Sequence, residues 1–481
     1  MASAPLIQLT DVGLTFGGNA LFNNLSLIVQ TGDRVSLVGR NGSGKSTLMK
    51  VMAGLTEIDH GSRILSPGIN IGYMEQDPDL KSFTTLGDFA ISTLESTDYY
   101  KVDIASGGLK FNPEQLVETA SGGQRRRAAL AKLMAENPDL LLFDEPTNHL
   151  DIESIKWLED NLRNGRKSFV VISHDRAFLK KLTKTTFWID RGEFRRLDQG
   201  FKSFENWRDK VWQEEDDQRH KLSRKIRAEA RWAVEGISAR RKRNMGRVRA
   251  LAELRAEKSA QIKRQSSAAM AFSSGQKSGA KVIEAKNLSL AFGRLQILSN
   301  LDLIVKRKDR IAIVGANGVG KTTLIKLLIG QQPPDTGTVK LGSNLKISYF
   351  DQARTQINPD LSLWETLTNE PTLAVSGSSD QIMVRGTPKH VVGYLKDFLF
   401  AEEQMRAPIK TLSGGEKARL ILARLMAKES NLLILDEPTN DFDIETLDLL
   451  QDILADYEGT VLMVSHDRAF LDRVATSTIV L

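Results

Sequence analysis

Short uninterrupted apolar runs recur along this 481-residue chain, and each is followed by a polar or glycine-rich turn. The clearest are LLLF at 140–143, FVVI at 169–172, LLIL at 432–435 and VLMV at 461–464. Between them, apolar residues recur at the spacing of helices that bury one face. Strands that are apolar on both faces and alternate with helices are typical of a parallel sheet covered by helices on both sides. The pattern therefore predicts an α/β fold.

The whole pattern occurs twice. IQLTDVGLTFGGNALFNNLSLIVQTGDRVSLVGRNGSGKST at 7–47 matches IEAKNLSLAFGRLQILSNLDLIVKRKDRIAIVGANGVGKTT at 283–323, and SHDRAFL occurs at both 173–179 and 465–471. An internal repeat of this kind indicates two copies of one structural unit. We predict one domain at residues 1–208 and a second at 282–481.

Distances along the chain support this division. Three intervals are equally long in both copies: 31 residues from Lys to Gln, 23 from Ser to Asp, and 30 from Asp to His. Only the interval from Gln to Ser differs, at 45 residues in the first copy and 61 in the second. A rigid core with one variable insertion accounts for both observations.

The composition changes between the copies, in the predicted linker at 209–281. Residues 219–264 contain 16 Lys or Arg and 4 Glu, and no proline occurs from 209 to 280. Good helix formers fill most of this stretch, which predicts two helices. The segment RRKRNMGR at 240–247 reads as the tip between them, and the Ser- and Gly-rich stretch that follows reads as a flexible tether.

Composition also excludes several classes of protein. The chain has no cysteine, which rules out disulfides, thiolate metal sites and cysteine nucleophiles and fits a reducing cytoplasm. No apolar stretch approaches the roughly 18 residues that a membrane span needs. The first residues lack the basic and apolar regions of a secretory signal. We therefore expect a cytoplasmic protein without membrane segments.

Each copy contains a glycine-rich motif that fits G-x-x-x-x-G-K-[ST], namely GRNGSGKS at 39–46 and GANGVGKT at 315–322. Such a loop turns backbone N–H groups toward phosphate, and the helix after it adds its positive N-terminus. Lys45 and Lys321 are then expected to reach the outer phosphates, and Ser46 and Thr322 to bind Mg²⁺. Two matches, each between a buried strand and a helix, leave little room for chance.

A carboxylate pair ends a buried strand in each copy, within LLLFDEP and LLILDEP. Asp144 and Asp436 supply the hard oxygen ligands that Mg²⁺ prefers. Glu145 and Glu437 follow directly and could polarise an attacking water. The alternative is that Asp-Glu-Pro only opens a helix, and the fixed distance to the phosphate loop argues against it.

A second anion site is predicted at ASGGQ and LSGGE, which precede basic amphipathic helices at 120–124 and 412–416. Serine and two glycines at a helix N-terminus present free N–H groups to an anion. One domain does not need two phosphate cradles for one nucleotide. We infer that each turn serves the nucleotide bound by the other copy.

Together, the order phosphate loop, Gln, Ser-Gly-Gly, Asp-Glu-Pro, Asn-x-x-Asp and Ser-His-Asp resembles the nucleotide-binding domain of ATP-binding cassette (ABC) proteins. Two such domains with a charged helical linker and no membrane span resemble the ABC-F branch of soluble translation ATPases. The segments EGISARRKRNMGRVRAL and DEPTNDFD are similar to the Uup-like group within that branch. The resemblance covers about four-fifths of the chain.

The resemblance implies two cassettes in tandem that stack head to tail around two ATP molecules. The first site would combine Gly39, Asn41, Gly42, Ser43, Gly44, Lys45, Ser46 and Thr47 with Ser413, Gly414, Gly415 and Glu416. The second would combine Gly315, Asn317, Gly318, Val319, Gly320, Lys321, Thr322 and Thr323 with Ser121, Gly122, Gly123 and Gln124. It also implies Mg²⁺ bound by Ser46, Gln76 and Asp144 in one site and by Thr322, Gln352 and Asp436 in the other.

The remaining roles follow from the same resemblance. Catalysis is assigned to Glu145 with His174 and to Glu437 with His466, where each histidine would sense the terminal phosphate. The alternative for the histidines is a buried His paired with its own Asp. Phe16 and Phe292 are adenine platforms or core residues.

The resemblance also implies that NHLD at 148–151 and NDFD at 440–443 cross the seam between cassettes; because these segments differ at two positions, we expect the two sites to differ in activity. The long helical arm that many ABC-F proteins carry before Ser-Gly-Gly is expected to be reduced here. The first copy continues past TTFWID whereas the second ends at TSTIVL, which predicts a truncated final hairpin.

The expected partner is the ribosome, through ribosomal RNA or tRNA, bound by a monomer whose cassettes form an internal pseudo-dimer. Branched DNA is the alternative, and the motor half of a membrane transporter is a weaker one. The predicted nucleic-acid contacts are the basic residues of the linker tip, Arg240, Arg241, Lys242, Arg243, Arg247 and Arg249. Such contacts release counterions regardless of sequence, although a charged helix can also be a merely solvated face.

Overall fold

The structure is a computed structural model, and it describes residues 5–16, 19–74, 78–165, 167–235, 278–293, 295–350, 357–375, 378–439 and 442–481. It contains the two predicted copies, each an α/β unit around a mainly parallel sheet. The α/β prediction is confirmed. Each copy also has a small antiparallel sheet that packs beside the main one.

The first copy has nine strands in the described residues. They are β1 (Pro5–Phe16), β2 (Asn19–Gln30), β3 (Arg34–Gly39), β4 (His60–Leu65), β5 (Ile71–Met74), β6 (Leu140–Asp144), β7 (Ser168–Ile172), β8 (Thr185–Asp190) and β9 (Glu193–Leu197). Its helices are α1 (Lys45–Ala53), α2 (Leu86–Ile91), α3 (Tyr99–Leu109), α4 (Gly122–Glu136), α5 (Ile152–Asn164), α6 (Arg176–Leu182) and α7 (Phe201–Glu235).

The second copy repeats this order with one extra sheet. Its strands are β10 (Lys281–Phe292), β11 (Leu295–Lys306), β12 (Arg310–Val314), β13 (Thr336–Leu341), β14 (Ile347–Phe350), β15 (Ala374–Val375), β16 (Ser378–Val384), β17 (Thr387–His390), β18 (Leu432–Asp436), β19 (Thr460–Val464) and β20 (Ser477–Val480). Its helices are α8 (Lys321–Leu328), α9 (Leu363–Thr368), α10 (Val391–Asp397), α11 (Gly414–Ala427), α12 (Ile444–Asp456) and α13 (Arg468–Val474).

The strand order of the main sheets explains where the motifs meet. The first sheet runs β5-β6-β7-β3-β8-β9, and all its neighbours are parallel except β8 and β9. The second runs β14-β18-β19-β12-β20, all parallel. Carboxyl ends of parallel strands share one edge. The phosphate loop after β3, the carboxylates at the end of β6 and the histidine after β7 therefore lie at one edge.

Both faces of the main sheet are covered, as the apolar runs predict. All five residues of β6 and of β7 are buried. Leu140 and Leu142 point toward α1 and the sheet β2-β1-β4, whereas Leu141 and Phe143 join a cluster with α2 to α6. Ile444 of the second copy belongs to that latter cluster. The cores of the two copies thus meet at this point.

The unequal interval between Gln and Ser has a simple structural origin. In the first copy its described part forms α2, two short 3₁₀ helices and the 11-residue α3. In the second copy a three-stranded antiparallel sheet, β15-β16-β17, lies between α9 and α10. The extra residues between Gln and Ser in the second copy therefore form a small antiparallel sheet.

The first linker helix is continuous with the first copy. Helix α7 spans 35 residues, so the boundary predicted after residue 208 falls inside it. Trp188 of β8 packs edge-on against three aromatic rings of α7, at centroid distances of 5.7 Å to Phe204, 5.5 Å to Trp207 and 6.1 Å to Trp212. The start of the linker helix is thus anchored in the first domain's core. The predicted second helix, the tip and the tether as far as residue 277 lie outside the described residues, and the last three tether residues, 278–280, pack against the second cassette.

In the part of the chain that the structure describes, no helix combines the length and apolarity that crossing a membrane requires.

Replacing Phe204 by Ala should lower the free energy of unfolding by about 3–5 kcal/mol, because a buried aromatic ring is lost and a cavity remains. Phe204 is 1% exposed. Urea unfolding followed by circular dichroism measures the loss. Lys202→Ala, at an exposed position of the same helical turn, is the control and should change the free energy by less than about 0.5 kcal/mol. Equal effects of the two substitutions would contradict the anchoring of α7.

Candidate active sites

The two phosphate loops have the same geometry. Lys45 begins α1 directly after Gly44, whose φ is 90°, and Lys321 begins α8 after Gly320, whose φ is 103°. A side chain at Gly44 would also meet the ring of Phe22 at 2.7 Å, so this position requires glycine on two counts. The backbone there is shaped to expose its N–H groups, as the motif predicts.

Both lysines fold back over their own loop. Lys45 Nζ donates to the carbonyls of Gly39 at 2.8 Å and Arg40 at 2.9 Å, and Lys321 Nζ does the same with the equivalent carbonyls at 3.0 Å. Burial lowers the pKa of both lysines, while nearby carboxylates oppose the shift. Each ammonium is therefore held at the loop where a phosphate would lie.

The carboxylate pairs end β6 and β18, as predicted, with a backbone feature that the sequence did not reveal. Glu145 and Glu437 have φ values of 53° and 48°, in the left-handed region that residues with a side chain rarely adopt. Such a conformation costs of order 1–3 kcal/mol and persists only where the surrounding structure imposes it. Glu145 N–H donates to Ile172 O at 2.9 Å and Glu437 N–H to Val464 O at 2.9 Å, which ties both residues to the next strand.

The residues beside the loops fit a divalent cation. Asp144 is buried, and neither carboxylate oxygen has a donor at normal geometry within the described chain. Burial raises the pKa of Asp144, and the adjacent Ser46 hydroxyl works against that shift. In the second copy the Thr322 hydroxyl donates to Asp436 at 2.9 Å, so hydroxyl and carboxylate are already paired.

No group of three or more His, Asp or Glu side chains suited to a metal occurs among the described residues. A hydroxyl and one carboxylate match Mg²⁺, which in such sites takes its other ligands from substrate phosphates and water. Gln76 and Gln352, the other predicted ligands, lie outside the described residues.

In the first site the histidine and the glutamate pair directly. The ring Nε2 of His174 lies 3.0 Å from Glu145 Oε1, and the backbone N–H of His174 donates to Glu145 Oε2 at 3.3 Å. Burial raises the pKa of Glu145, but His174 and Lys45 outweigh it, so the pKa falls below its usual value. The glutamate is thus held ionised at the edge where water would attack.

The second site is arranged differently. His466 Nε2 lies 3.3 Å from Glu437 Oε1, 3.2 Å from Lys321 Nζ and 3.0 Å from Asn317 Oδ1. Burial lowers the pKa of His466 to about 4 and raises that of Glu437 to about 7. Here the histidine contacts the phosphate loop itself, which the sequence comparison of the two copies did not predict.

The first phosphate loop and the second Ser-Gly-Gly turn line one cleft of about 430 Å³. Its walls include Lys45, Ser46, Asp144, Glu145 and His174 from the first copy and Ser413, Gly414 and Gly415 from the second. Most residues predicted for the first site therefore line this cleft, whereas Gly39, Ser43 and Glu416 are not among its walls. Arg126, Asn148 and Leu21 also line it, and the sequence had not singled them out for this cleft.

The Asn-x-x-Asp segments make the contacts across the seam. Asn41 N–H donates to Asp443 Oδ2 at 2.9 Å, and Asn317 Nδ2 donates to the His149 carbonyl at 2.7 Å. His149 also lies against the other predicted turn, because a side chain at Gly123 would meet the His149 Cβ at 3.3 Å. The second phosphate loop is therefore connected to the first Ser-Gly-Gly turn through His149.

An ion pair that the sequence reasoning missed reinforces the first of these contacts. Arg40 Nε lies 3.2 Å from Glu445 Oε2 in the next helix of the second copy. Only the pairing of a phosphate loop with the opposite half could have indicated it.

Some predicted residues have other tasks or cannot be placed. Gln124 and Glu416 complete capping boxes with Ser121 and Ser413, so their side chains hold the helix N-termini, and Glu416 is not among the residues that line the cleft. Phe292 is 52% exposed at the end of β10. The side chain of Phe16, the residues Asn440 and Asp441, and the basic tip at 240–249 lie outside the described residues.

Comparison with known proteins fits this geometry. The family described as ABC transporter matches residues 22–148 and 298–440, which contain both phosphate loops. The ATP-binding protein Uup of Caulobacter vibrioides is 46% identical over 482 residues, which cover 100% of this chain and 78% of that protein. The energy-dependent translational throttle protein EttA of Mycobacterium tuberculosis is 32% identical and covers 96% of this chain and 88% of its own length.

Solved structures support the tandem architecture. The archaeal ribosome recycling factor aABCE1, solved with the ribosomal stalk protein aP1, superimposes with a TM-score of 0.67 over 98% of this chain and 87% of its own, at 20% identity. At that identity the likeness shows the fold alone. From the two matched cassettes and the relatives that align along nearly the whole chain, the chain belongs to the ABC-F family of tandem ATP-binding cassette proteins and is an ATP hydrolase similar to the Uup group.

Proposed function

We propose that the two cassettes close on two ATP molecules, open after hydrolysis, and use this cycle to act on the ribosome through the basic linker. The proposal that ATP closes the cassettes rests on one observation. Lys45 of the first cassette and Ser413 of the second line the same cleft. Neither cassette alone supplies both groups. Nucleotide bound there would join the two halves.

Within each site we assign one task to each group. The phosphate loops, with Lys45 and Lys321, hold the triphosphate through N–H groups and charge. Ser46 with Asp144, and Thr322 with Asp436, hold Mg²⁺, which when bound neutralises charge on the phosphate oxygens. The catalytic task is to hold and polarise a water, and it falls to Glu145 and Glu437.

His174 and His466 are assigned the terminal phosphate. Each follows a buried strand and has its ring within 3.3 Å of its glutamate, so a hydrogen bond to the phosphate would compete with this contact to the carboxylate. Loss of the phosphate would return the histidine to the glutamate. The histidine would then report the nucleotide state to the segment that follows it.

The ribosomal part of the proposal rests on charge and on relatives. Residues 219–264 contain 16 Lys or Arg and 4 Glu, enough to neutralise several phosphates. A relative 32% identical over nearly the whole chain is named a translational throttle protein. We propose that the chain acts in the cytoplasm, where ribosomes are, as a monomer whose two cassettes form an internal pseudo-dimer. Binding to branched DNA is the competing outcome of the binding experiment below.

Replacing Glu145 and Glu437 together by Gln should slow ATP hydrolysis by on the order of 10²-fold or more, because the water is no longer polarised. ATP binding should persist, since the phosphate loops are unchanged. Phosphate release measures hydrolysis, and a fluorescent ATP analogue measures binding. The control is the exposed pair Glu193→Gln with Glu458→Gln, which should leave both quantities unchanged. Undiminished turnover in the first variant would remove the catalytic assignment.

The pairing of each turn with the opposite loop is tested by combining Ser413→Arg with a loop variant. If Ser413 completes the Lys45 site, adding Ser413→Arg to Lys45→Ala should cost little, because that site is already lost. Adding it to Lys321→Ala should abolish hydrolysis, because both sites are then lost. Ser121→Arg is the matched control and should give the reverse pattern. Steady-state hydrolysis rates of the four double variants decide the matter, and the same-cassette pattern would overturn the proposal.

Changing Arg240, Arg241, Lys242, Arg243, Arg247 and Arg249 to Gln should remove binding to ribosomes. The slope of log affinity against log salt should flatten by roughly 0.7 to 0.9 for each phosphate that the variant no longer binds. Binding is measured by ribosome pelleting over a range of salt concentrations, with a four-way DNA junction as the parallel ligand.

A variant with the same change in charge is the control for the linker experiment. It carries Gln at six exposed lysines of the second cassette, Lys281, Lys286, Lys306, Lys308, Lys340 and Lys410. It should bind ribosomes like the wild type. If the linker variant loses binding to the DNA junction but still binds ribosomes, the linker is assigned to DNA.

A further inference from the structure

The repeated SHDRAFL segment contains an arginine that faces the other cassette in each copy. Arg176 is 2% exposed; its Nη2 donates to the Ile444 carbonyl at 3.2 Å and it pairs with Asp448 of α12. Arg468 also crosses the seam, to Glu159 of α5, which lies three positions further along its helix than Asp448 does along α12. The two arginines therefore cross the seam in opposite directions, each to the helix that follows an Asn-x-x-Asp segment.

Only Arg176 also binds the linker helix. Its Nη1 lies 2.7 Å from Glu205 Oε1 in α7, and Lys180 Nζ reaches the other oxygen of that carboxylate at 3.2 Å. Burial raises the pKa of Glu205, but Arg176 and Lys180 outweigh it and the pKa is lowered, so this carboxylate is ionised. Among the described residues, Arg468 forms no ion pair with α7 and instead lies 3.8 Å from Asp175.

The same junction is connected to the first phosphate loop. Asp443 accepts the Asn41 N–H at 2.9 Å, and the next residue, Ile444, supplies the carbonyl that Arg176 binds. On its own side Arg176 follows His174 by two positions, and His174 contacts Glu145. Two chain segments at the first ATP site therefore meet at the Arg176 guanidinium: Asp443 and Ile444 of the second cassette, and His174 to Arg176 of the first.

The contact between α7 and the second cassette brings many negative charges together. The two elements face each other across a cleft of about 490 Å³ that has carboxylates on both walls. Those of α7 are Asp209, Asp216 and Asp217, and those of α12 are Glu445, Asp448 and Asp452. Like charges repel across such a gap. Arg176, which bridges Glu205 and Asp448, and Arg208, whose Nη1 is 3.5 Å from Asp448, supply positive charge that joins the two walls. Arg473, 3.9 Å from Asp448, and Arg40, 3.2 Å from Glu445, offset part of the negative charge on α12.

We propose that Arg176 is a positioning residue that couples closure of the cassettes to the docking of linker helix α7 on the second cassette. A guanidinium can bind two carboxylates at once in fixed directions, so it holds α12 and α7 in one arrangement. When the second cassette moves away from the first, Arg176 loses Asp448 and the Ile444 carbonyl while Glu205 remains. The cleft carboxylates then push α7 and α12 apart. The linker therefore takes its position from the nucleotide state of the first ATP site.

The absence of cysteine allows a direct measurement of this coupling. Cysteines at the exposed positions Glu214 in α7 and Asp472 in α13 carry spin labels, and electron paramagnetic resonance gives the distribution of distances between them in the full chain. With a non-hydrolysable ATP analogue and Mg²⁺ we expect a narrow distribution, and with ADP a broad one. Arg176→Ala should leave the distribution broad in both states.

Two further variants separate coupling from a general loss of structure. Glu205→Gln keeps the shape of a partly exposed side chain but removes its charge, and it should also broaden the distribution in the ATP state. Adding it to Arg176→Ala should have no further effect, and Arg176→Lys should restore part of the narrowing. Arg468→Ala is the matched control: it removes the same residue from the other copy, and the ATP-dependent narrowing should remain.

A wild-type-like ATP-dependent narrowing in both Arg176→Ala and Glu205→Gln would overturn the proposal, as would an equal broadening in Arg468→Ala. If Arg176→Ala does not fold, as judged by thermal unfolding, Glu205→Gln decides alone. No ribosome or DNA is present in this experiment. Its outcome is therefore independent of which partner the linker binds.

Discussion

Asp443 is a buried carboxylate, and the protein can hold its charge in the interior only by surrounding it with donors. Its own cassette supplies the Thr446 N–H at 2.8 Å and Arg419 at 3.5 Å. The third donor, the Asn41 N–H, comes from the phosphate loop of the other cassette. Burial raises the pKa of Asp443, but these donors outweigh it and the pKa is strongly lowered. A structural carboxylate of one half is thus satisfied in part by the nucleotide-binding loop of the other.

This constraint organises the rest of the seam. Asp443 also caps α12, so the helix that begins there is oriented by the opposite phosphate loop, and Ile444 is buried in the first cassette's core. The adjacent carbonyl and carboxylate are then in place for Arg176. The second site has a parallel arrangement. Asp151 caps α5 in the same way, and Asn317 of the second phosphate loop donates to the His149 carbonyl in the same Asn-x-x-Asp segment. Both ATP sites are therefore composed of groups that only the pairing of the cassettes brings together.

The two sites share motifs but differ in electrostatics. In the first, His174 supports an ionised Glu145, whereas in the second His466 contacts Lys321 and Asn317, and burial raises the pKa of Glu437 to about 7. The difference accompanies the change from Asn-His-Leu-Asp to Asn-Asp-Phe-Asp in the facing segments. The linker helix, moreover, packs on the first cassette through the aromatic cluster around Trp188 and through Glu205, and it pairs with Asp448 of the second through Arg208. The molecule is an approximate dimer whose linker is joined mainly to one half.

The sequence by itself determined the two α/β cassettes, the phosphate loops, the carboxylate pairs and the histidines, because these depend on local patterns and fixed spacing. It also indicated that Ser413 faces Lys45, since two anion sites in one domain needed an explanation. Tertiary structure alone decided the left-handed Glu145 and Glu437, the junction at Arg176 and the continuity of α7 through the predicted boundary. Those features depend on which surfaces meet across the seam. Residues hundreds of positions apart, such as Arg176 and Asp448, carry no periodicity or spacing that could reveal the contact beforehand.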